Sequence, residues 1–385
     1  MTEVNMDELL ENLAQCRRCG VCRDAVYEEM GFDGVCPVWR NSNGFETSFM
    51  RGRILVAQAL LDGRLEKTEK NVESLFTCML CGNCTEICGA EFDPVKCLEQ
   101  VRQVLNDVPN KVRDSVSQKI LEHQNPYNIN GLKRDWVAEV GFDISAMGET
   151  LYYTGCTAGM KLPSIAKSTA AILRAANVTF SVLENEPCCG SVMLRTGAVE
   201  SAERIAQNLQ ESILEAGAKR IVVSCAGCLR TLRYDYPGRF GVDLPNVIHI
   251  VEYAQQLIEK GQLKPPKTED TTSVTYHDPC HLGRELRIFD APREILRAMP
   301  GVELVEMETK RETAMCCGAG GGVRSYDSDL SKRIAVDRVR TATSSGAEIL
   351  ATACPFCVNN LKTGAKIIGD SIRVEDIVVL LAERL

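Results

Sequence analysis

The hydrophobic pattern of the chain changes character at about residue 150. Beyond it, short apolar runs that end in turn residues alternate with longer amphipathic segments. The runs have the length of buried strands and the amphipathic segments have the period of helices, so the pattern predicts parallel α/β units. The predicted strands lie at 151–153, 219–224, 274–277 and 347–353, and the predicted helices at 165–176, 202–216, 292–299 and 331–343.

The first 105 residues follow a helical pattern instead. Apolar residues at helical spacing predict helices at 9–13, 52–61 and 95–105, around cysteine-containing loops and with few β-branched runs. We therefore expect a helical domain at 1–105 with no sheet of its own, followed by a helical connector at 106–149. The Pro-, Lys- and Thr-rich stretch 261–272 is typical of a linker between two α/β domains, at 150–260 and 273–385.

These two domains, called the first repeat (150–260) and the second repeat (273–385) below, carry one cysteine pattern in duplicate. The pattern is a lone Cys, then Cys-Cys-Gly, then Cys-x-x-Cys. Its members are Cys156, Cys188, Cys189, Cys225 and Cys228 in the first repeat, and Cys280, Cys316, Cys317, Cys354 and Cys357 in the second. Val251-Glu252 and Val374-Glu375 are each expected to open an apolar helix. The duplication predicts a pseudo-twofold pair of domains.

Five thiolates exceed the ligands that one tetrahedral metal ion accepts. Adjacent cysteines can, however, bind different irons of a larger cluster. Ligands of parallel sheets gather at the carboxyl ends of strands, and Cys156, Cys225 and Cys354 follow predicted strands. We therefore expect one polynuclear iron–sulfur centre in each repeat. Structural zinc and inert buried cysteines are the alternatives, and two complete copies of the pattern disfavour both.

Two further cysteine triplets in the helical domain have ferredoxin spacing, and each needs a fourth thiolate. In two-cluster ferredoxins the fourth cysteine of each run binds the other cluster. This rule predicts two [4Fe-4S] cubanes, one held by Cys16, Cys19, Cys22 and Cys88, the other by Cys78, Cys81, Cys84 and Cys36. Thirteen residues separate Cys22 from Cys36, and Cys88 precedes Gly89 rather than proline, which are departures from the ferredoxin pattern. Four-cysteine zinc sites are the alternative.

Three other features near these motifs allow more than one interpretation. Cys97 lies on a predicted helix and is expected to be a buried apolar thiol. The glycines at 318–322 lack the acidic residue and βαβ context of a dinucleotide site, so we expect them to permit close backbone approach to cluster sulfides. His277 and His281 flank Cys280, and His281 is the candidate proton donor to a thiolate leaving group. A structural role is the alternative for both histidines.

Composition narrows the classes of function. The 19 cysteines are an odd number, and the first ten residues lack a secretory signal, so metal binding is favoured over a disulfide framework and we expect a cytoplasmic protein. No apolar run approaches the roughly 20 residues of a membrane span, so a membrane is expected to be reached only through a partner. A net charge of −8 without a basic run disfavours nucleic acid.

The chain resembles the D subunit of heterodisulfide reductase from methanogenic archaea. The resemblance rests on the ferredoxin triplets, the two Cys-Cys-Gly domains, and the segments 224–231 and 353–361, and it covers the chain from about Cys16 onward. It implies a non-cubane [4Fe-4S] cluster in each repeat, in addition to the two cubanes. It also implies an activity, the reduction of the mixed disulfide of coenzyme M and coenzyme B between the two non-cubane clusters.

The duplicated site suits this chemistry because reducing a disulfide takes two electrons, whereas an iron–sulfur cluster typically passes one. The main alternative is an electron-transfer component of a glycolate-, lactate- or glycerol-3-phosphate-type dehydrogenase. In those relatives the Cys-Cys-Gly motif is often incomplete, whereas both are complete here. A reductase of another disulfide and a zinc-stabilised interaction module are further alternatives. The expected partner is an electron donor that docks on the ferredoxin domain, either a membrane cytochrome b or a soluble flavin, hydrogenase or formate dehydrogenase module.

Overall fold

The computed structural model describes residues 4–27, 32–90, 92–130, 133–145, 147–266, 270–369 and 371–385. The amino-terminal helices surround one apolar core to which Leu9, Leu75 and Leu98 contribute. Polar residues cap these helices where the sequence supplies them. Thr68 accepts the amide of Asn71 at 3.2 Å, and Asp93 accepts two amides in front of a first-turn proline. The helices are α1 (Met6–Ala14), α2 (Pro37–Arg40), α3 (Met50–Leu61), α4 (Glu69–Phe76), α5 (Asn83–Glu86) and α6 (Pro94–Val104).

The expectation that this region has no sheet is wrong in one detail. Strands β1 (Val26–Tyr27) and β2 (Phe32–Asp33) pair antiparallel. They belong to the long insertion between Cys22 and Cys36, whose backbone groups find partners in each other. The connector contains α7 (Lys111–His123) and a 3₁₀ turn at Asp135–Glu139.

The first repeat is a four-stranded parallel sheet covered by helices, as its pattern predicts. The strand order is β4-β3-β5-β6. Tyr153 and Val223, the last residues of the paired strands β3 and β5, lie side by side, so the loops that follow both strands leave the same edge. The elements are β3 (Thr150–Tyr153), α8 (Cys156–Met160), α9 (Pro163–Ala175), β4 (Phe180–Ser181), α10 (Ser191–Thr196), α11 (Val199–Glu215), β5 (Arg220–Val223), α12 (Ala226–Arg230) with a π-helical continuation at Thr231–Phe240, β6 (Val247–His249) and α13 (Ile250–Glu259).

The second repeat has the same topology, with strand order β10-β9-β7-β8 and every pairing parallel. His277 and Thr352, the last residues of β7 and β9, lie side by side, as Tyr153 and Val223 do in the first repeat. The elements are β7 (Thr272–His277), α14 (Asp290–Ala298), β8 (Val302–Leu304), α15 (Val323–Tyr326), α16 (Ser328–Thr343), β9 (Ile349–Thr352), α17 (Pro355–Ile368), β10 (Arg373–Asp376) and α18 (Ile377–Ala382).

The last strand of each repeat leads directly into its last helix. His249 ends β6 and accepts the amide of Val251 at 3.3 Å, and Asp376 ends β10 and accepts the amide of Val378 at 3.1 Å. The prediction that Val374-Glu375 opens a helix is therefore wrong. Both residues pair with β9 within the sheet, and α18 begins two residues later because the capping carboxylate of Asp376 comes after them.

The two repeats pack reciprocally. The first long helix of each repeat contacts the last helix of the other: α9 packs on α18, and α14 packs on α13. This arrangement is isologous, as in a twofold dimer, and one continuous apolar core runs through both sheets. The predicted fold class, a helical two-cluster domain followed by two pseudo-twofold α/β repeats, is confirmed. Among the described helices, none has both the length and the apolar character needed to cross a bilayer.

Replacing Leu380 by alanine should destabilise the protein by about 2–5 kcal/mol, because Leu380 lies fully buried in α18 at this interface. Denaturant unfolding followed by circular dichroism measures the change. Ile367→Ala is the matched control, since Ile367 is 53% exposed on α17 and its loss should cost no more than about 0.5 kcal/mol. Equal midpoints for the two variants would contradict the reciprocal packing.

Candidate iron–sulfur centres

All nineteen cysteines lie in the described part of the chain, and none forms a disulfide. In the first repeat, the five pattern cysteines converge at the carboxyl edge of the sheet. Cys156 starts α8 directly after β3, and Cys225 precedes α12 directly after β5. The Sγ atoms of Cys156 and Cys188 are 3.5 Å apart, and those of Cys189 and Cys228 are 3.4 Å apart. The first five-cysteine set is therefore one continuous group of sulfurs.

The second repeat brings its own set together in the same way. Cys354 caps α17 after β9, and Cys357 lies one turn into that helix. The thiol of Cys357 is hydrogen-bonded to Cys317 and to Cys354, and Cys316 is hydrogen-bonded to Cys317. Burial, followed by the neighbouring Cys316, raises the pKa of the Cys280 thiol well above its ordinary value. The second set is thus as closely gathered as the first.

Each Cys-Cys-Gly motif forms the same turn. Gly190 and Gly318 have left-handed φ values of +71° and +84°, which glycine adopts at little steric cost. Their amides donate to the sulfur two residues back, over 3.5 Å to Cys188 and 3.3 Å to Cys316. The glycine therefore both reverses the chain and supplies an N–H donor to a sulfur of the site.

The two five-cysteine sets adjoin each other. Cys225 and Cys354, one from each repeat, are neighbours at this boundary. Hydrogen bonding to Cys225 is the largest of the causes that lower the pKa of Cys354. Any group held by the first set therefore lies directly beside any group held by the second.

The two ferredoxin triplets share a backbone conformation. The residue before the second cysteine is left-handed in both, with φ +55° at Arg18 and +52° at Leu80. The glycine after that cysteine is left-handed as well, with φ +83° at Gly20 and +82° at Gly82. Non-glycine residues adopt this region rarely, so the two loops are built alike for a common purpose.

Cys36 and Cys88 are the predicted fourth ligands of the two ferredoxin triplets, and the structure places only Cys36 clearly beside its triplet. Cys36 lines a small cavity together with Cys78, Cys81 and Cys84 of the second triplet and Cys22 of the first. Burial raises the pKa of the Cys36 thiol to about 11, and the neighbouring Cys78 and Cys81 add to this. Cys88 is half-buried just after α5, and its assignment to the first triplet stays a prediction. Cys97, predicted as a buried thiol, lies in α6 and is buried.

The second triplet also touches the second five-cysteine set. A hydrogen bond to Cys316 is the largest cause that raises the pKa of the Cys81 thiol. Arg284 holds the two loops together from the second repeat, since its Nε donates to the Cys81 carbonyl and its Nη1 to the Ala314 carbonyl, both at 2.6 Å. The ferredoxin loops therefore adjoin the second repeat at the level of sulfur atoms.

Arg102 of α6 makes a second connection, and it reaches both repeats. Its guanidinium is fully buried and donates to carbonyls of the helical domain, the first repeat and the second repeat. The acceptors are Leu75 (2.6 and 2.9 Å), Cys78 (2.9 Å), Arg195 (2.6 Å) and Gly321 (2.9 Å). The five bonds match the five N–H donors of arginine.

The glycine-rich segment after Cys317 is needed for this close approach. A methyl group on Gly320 would lie 2.6 Å from the Met79 carbonyl oxygen, and one on Gly321 would collide with the Cys78 carbonyl oxygen. These glycines therefore permit close approach to the backbone of a ferredoxin loop, and the expected approach to cluster sulfides stays a prediction.

The surroundings of the two five-cysteine sets differ in charge. Next to the first set, Lys133 from the connector donates to the Glu186 carbonyl, and the Glu186 carboxylate accepts the amides of Thr154 (2.6 Å) and Gly155 (2.8 Å). Burial lowers the pKa of Lys133, but the charge on Cys156 and Glu186 outweighs burial and leaves the pKa above its usual value. A buried ammonium group therefore faces the first set.

Next to the second set, a histidine and an arginine take that place. Arg338 Nε donates to His277 Nδ1 at 3.1 Å, and the arginine also bonds Thr309. Burial lowers the pKa of Arg338 to about 10. Burial, followed by the charge of the adjacent Arg338, lowers the pKa of His277 to about 3. Sequence reasoning missed Arg338, although its position on the apolar face of α16, four residues after Ile334, was a usable signal.

His281, the predicted proton donor, lies where the two repeats meet. Its Nε2 is 3.4 Å from a Glu285 carboxylate oxygen. Its Nδ1 is 3.7 Å from the point where a Cβ on Gly227 would lie, between Cys225 and Cys228 of the other repeat. Glu285 also lines a cleft of about 580 Å³ between the helical domain and the repeats.

This donor set fits iron–sulfur clusters. Buried thiols with raised pKa values, such as Cys22 at about 12 because of burial, become thiolates only beside a strongly positive group. Each five-cysteine set offers more sulfurs than a single zinc ion binds. A helical domain with two ferredoxin triplets, placed against two five-cysteine α/β repeats, defines an iron–sulfur oxidoreductase.

Comparison with known families agrees with this class. A cysteine-rich domain family matches residues 150–233 and 274–362, and a 4Fe-4S dicluster domain family matches residues 12–92. The D subunit of dihydromethanophenazine:CoB–CoM heterodisulfide reductase from Methanosarcina acetivorans is 35% identical over 98% of this chain and 95% of its own length. The chain belongs to the family of heterodisulfide reductase D subunits, and the resemblance seen in its motifs is confirmed.

Two further relatives define the breadth of this group. The B subunit of fumarate reductase (CoM/CoB) from Methanothermobacter marburgensis is 30% identical over 90% of this chain and 69% of its own length. The crystal structure of a hypothetical protein from Helicobacter pylori superimposes with a TM-score of 0.61 over 99% of this chain and 76% of that chain, at 8% identity, so it supports the fold alone.

Replacing Gly321 by alanine should lower stability more than the same change at Gly241. Both glycines are left-handed, with φ +61° and +63°, but a methyl group on Gly241 meets nothing within 4 Å. Gly241→Ala should therefore cost about 1 kcal/mol from backbone strain alone, whereas Gly321→Ala adds the collision with Cys78. Thermal unfolding of both variants measures the difference. Equal losses would mean that the two loops tolerate separation.

Proposed function

We propose that this chain reduces the mixed disulfide of coenzyme M and coenzyme B to the two thiols. The observation that carries the proposal is that the three groups of cysteines adjoin one another in succession. Cys81 of the ferredoxin domain neighbours Cys316 of the second repeat, and Cys354 of that repeat neighbours Cys225 of the first. Electrons can therefore pass from the ferredoxin domain to the second repeat and from there to the first.

We assign the clusters by these contacts and by the family. Two cubanes are held by the ferredoxin cysteines, in the sets Cys16, Cys19, Cys22, Cys88 and Cys78, Cys81, Cys84, Cys36. The five-cysteine set of each repeat holds one non-cubane [4Fe-4S] cluster. When bound, these clusters store and pass single electrons, two of which, with two protons, convert one disulfide into two thiols. The ten cysteines of the repeats are accordingly the candidate catalytic residues.

The remaining residues position the substrate and supply protons. His281 faces the Cys225-x-x-Cys228 turn with one ring nitrogen and Glu285 with the other, so we assign it the proton delivery to a departing thiolate. The cleft beside Glu285 is the proposed route of the disulfide into the site. Arg230 pairs with Glu285 and keeps that carboxylate oriented.

The electron donor docks, in this proposal, beside the first ferredoxin triplet. Cys19 is exposed, whereas Cys78 and Cys81 are buried, so electrons enter most easily near Cys19. The donor is a separate protein, either a membrane cytochrome b or a soluble flavin, hydrogenase or formate dehydrogenase module. Any attachment to a membrane comes through that partner.

One relative favours a second candidate function. The Methanothermobacter marburgensis relative belongs to a fumarate reductase (CoM/CoB), and the same site can run in reverse, oxidising two thiols to the disulfide and passing electrons outward. Coupled assays discriminate the two. Electrons from a low-potential donor should produce thiols in the first case, whereas thiols should reduce an acceptor in the second.

Anaerobically purified protein should contain about sixteen iron atoms per chain, from four clusters of four. Cys317→Ser should remove about four of them and abolish disulfide reduction, while the cubane signals in electron paramagnetic resonance stay intact. Cys97→Ala is the control, because this buried thiol is assigned to no cluster. A count near eight that Cys317→Ser leaves unchanged, or zinc in place of iron, would overturn the cluster assignment.

His281→Ala should slow disulfide reduction by about 100-fold or more, as loss of a general acid does. The readout is steady-state turnover with a reduced viologen dye, together with unchanged cluster spectra. His123→Ala serves as the comparison, since His123 ends α7 and contacts neither five-cysteine set. If both variants retain full turnover, His281 is not the proton donor.

A further inference from the structure

His277 is a buried polar residue to which the proposed reaction assigns no role. It ends the central strand β7, pairs with Thr352 of β9, and precedes Cys280 by three residues. Its side chain is 1% exposed, and its carbonyl accepts the Thr352 hydroxyl at 3.0 Å. The ring is therefore held firmly by the sheet at the edge of the second five-cysteine set.

The tautomer of this ring follows from its neighbour. Arg338 Nε donates to Nδ1 at 3.1 Å, and arginine has only donors. Nδ1 must then carry a lone pair, so a neutral ring bears its proton on Nε2. Arg338 cannot turn away easily, because Thr309 accepts its other two nitrogens at 2.8 and 3.1 Å.

The donor on Nε2 lacks an acceptor, and sulfur is close by. Among the described residues, Nε2 has no hydrogen-bond partner. One ring nitrogen lies within 4.8 Å of the sulfurs of both Cys317 and Cys357, and all three residues are buried. A buried N–H without an acceptor is destabilising, so the ring is placed to donate into the sulfur-rich volume beside it.

We propose that His277 is a positioning residue for the cluster of the second repeat. Its Nε2–H donates to a sulfur of that cluster and raises the reduction potential of that cluster. This inference rests on the proposed function, since it needs a cluster in the second repeat. The direction follows from charge: the reduced cluster carries more negative charge on sulfur, so a hydrogen-bond donor stabilises the reduced form.

The first repeat lacks this donor. Tyr153 ends β3 three residues before Cys156, as His277 does before Cys280, but its hydroxyl donates to the Pro187 carbonyl at 2.7 Å. The two clusters therefore have different partners at equivalent positions.

Redox titration of the full, cluster-loaded chain tests the proposal. His277→Leu removes the donor, and His277→Gln keeps an N–H near the position of Nε2. We expect the leucine variant to lower the potential of the second cluster enough for a tenfold change in its ratio of reduced to oxidised form, about 59 mV for one electron. The glutamine variant should restore most of this. Tyr153→Phe should leave the potential of the first cluster unchanged.

A second measurement uses the unaltered protein, so its result does not depend on whether the variants fold. With ¹⁵N-labelled histidine, electron–nuclear double resonance should show a weak coupling, typical of a hydrogen bond to the cluster. A strong coupling would mean that His277 is an iron ligand and would overturn the proposal, as would equal potentials for His277→Leu and the unaltered protein. Iron counting distinguishes failure of this inference from failure of the proposed function, because a second repeat without iron would refute the proposed function itself.

Discussion

The structure depends on how closely the Cys78–Cys81 loop approaches the glycine-rich segment after Cys317. Two arginines enforce this approach. Arg102 donates hydrogen bonds from all of its guanidinium nitrogens to carbonyls in three parts of the chain. Arg284 donates hydrogen bonds to the carbonyls of both Cys81 and Ala314. Neither bond set survives a partial separation, because a buried guanidinium that loses its acceptors is strongly destabilised. Sulfur contact between the domains is therefore built into the folded state.

Much of this arrangement could be predicted, because the relevant signals are local. Helical and strand periods located α9, α11, α14 and α16, and cysteine spacing identified both repeats. The missed features depend on partners distant in sequence, such as Arg102 and Gly321, which lie 219 residues apart. The start of α18 was misplaced because Val374-Glu375 suits a helix by composition, whereas pairing with β9 makes it a strand. The ligand sets themselves stay predictions until iron is measured.

The duplication gives two sites of one topology in different electrostatic surroundings. The first set faces the ammonium of Lys133, which comes from the connector. The second faces His277 and the guanidinium of Arg338 and adjoins the ferredoxin loop at Cys81. Equal backbones thus do not make equal centres. The residues that differ lie both at equivalent positions of the repeats, such as Tyr153 and His277, and on elements packed against them, such as Lys133.

The reciprocal packing of α9 on α18 and of α14 on α13 has an evolutionary consequence. An unduplicated ancestor would have presented the same two apolar helices and closed as a homodimer with identical metal centres. Every mutation in such a dimer changes both metal centres, because the two subunits have the same sequence. In a single chain that restriction is absent, because each half can change independently, and one half has Tyr153 where the other has His277.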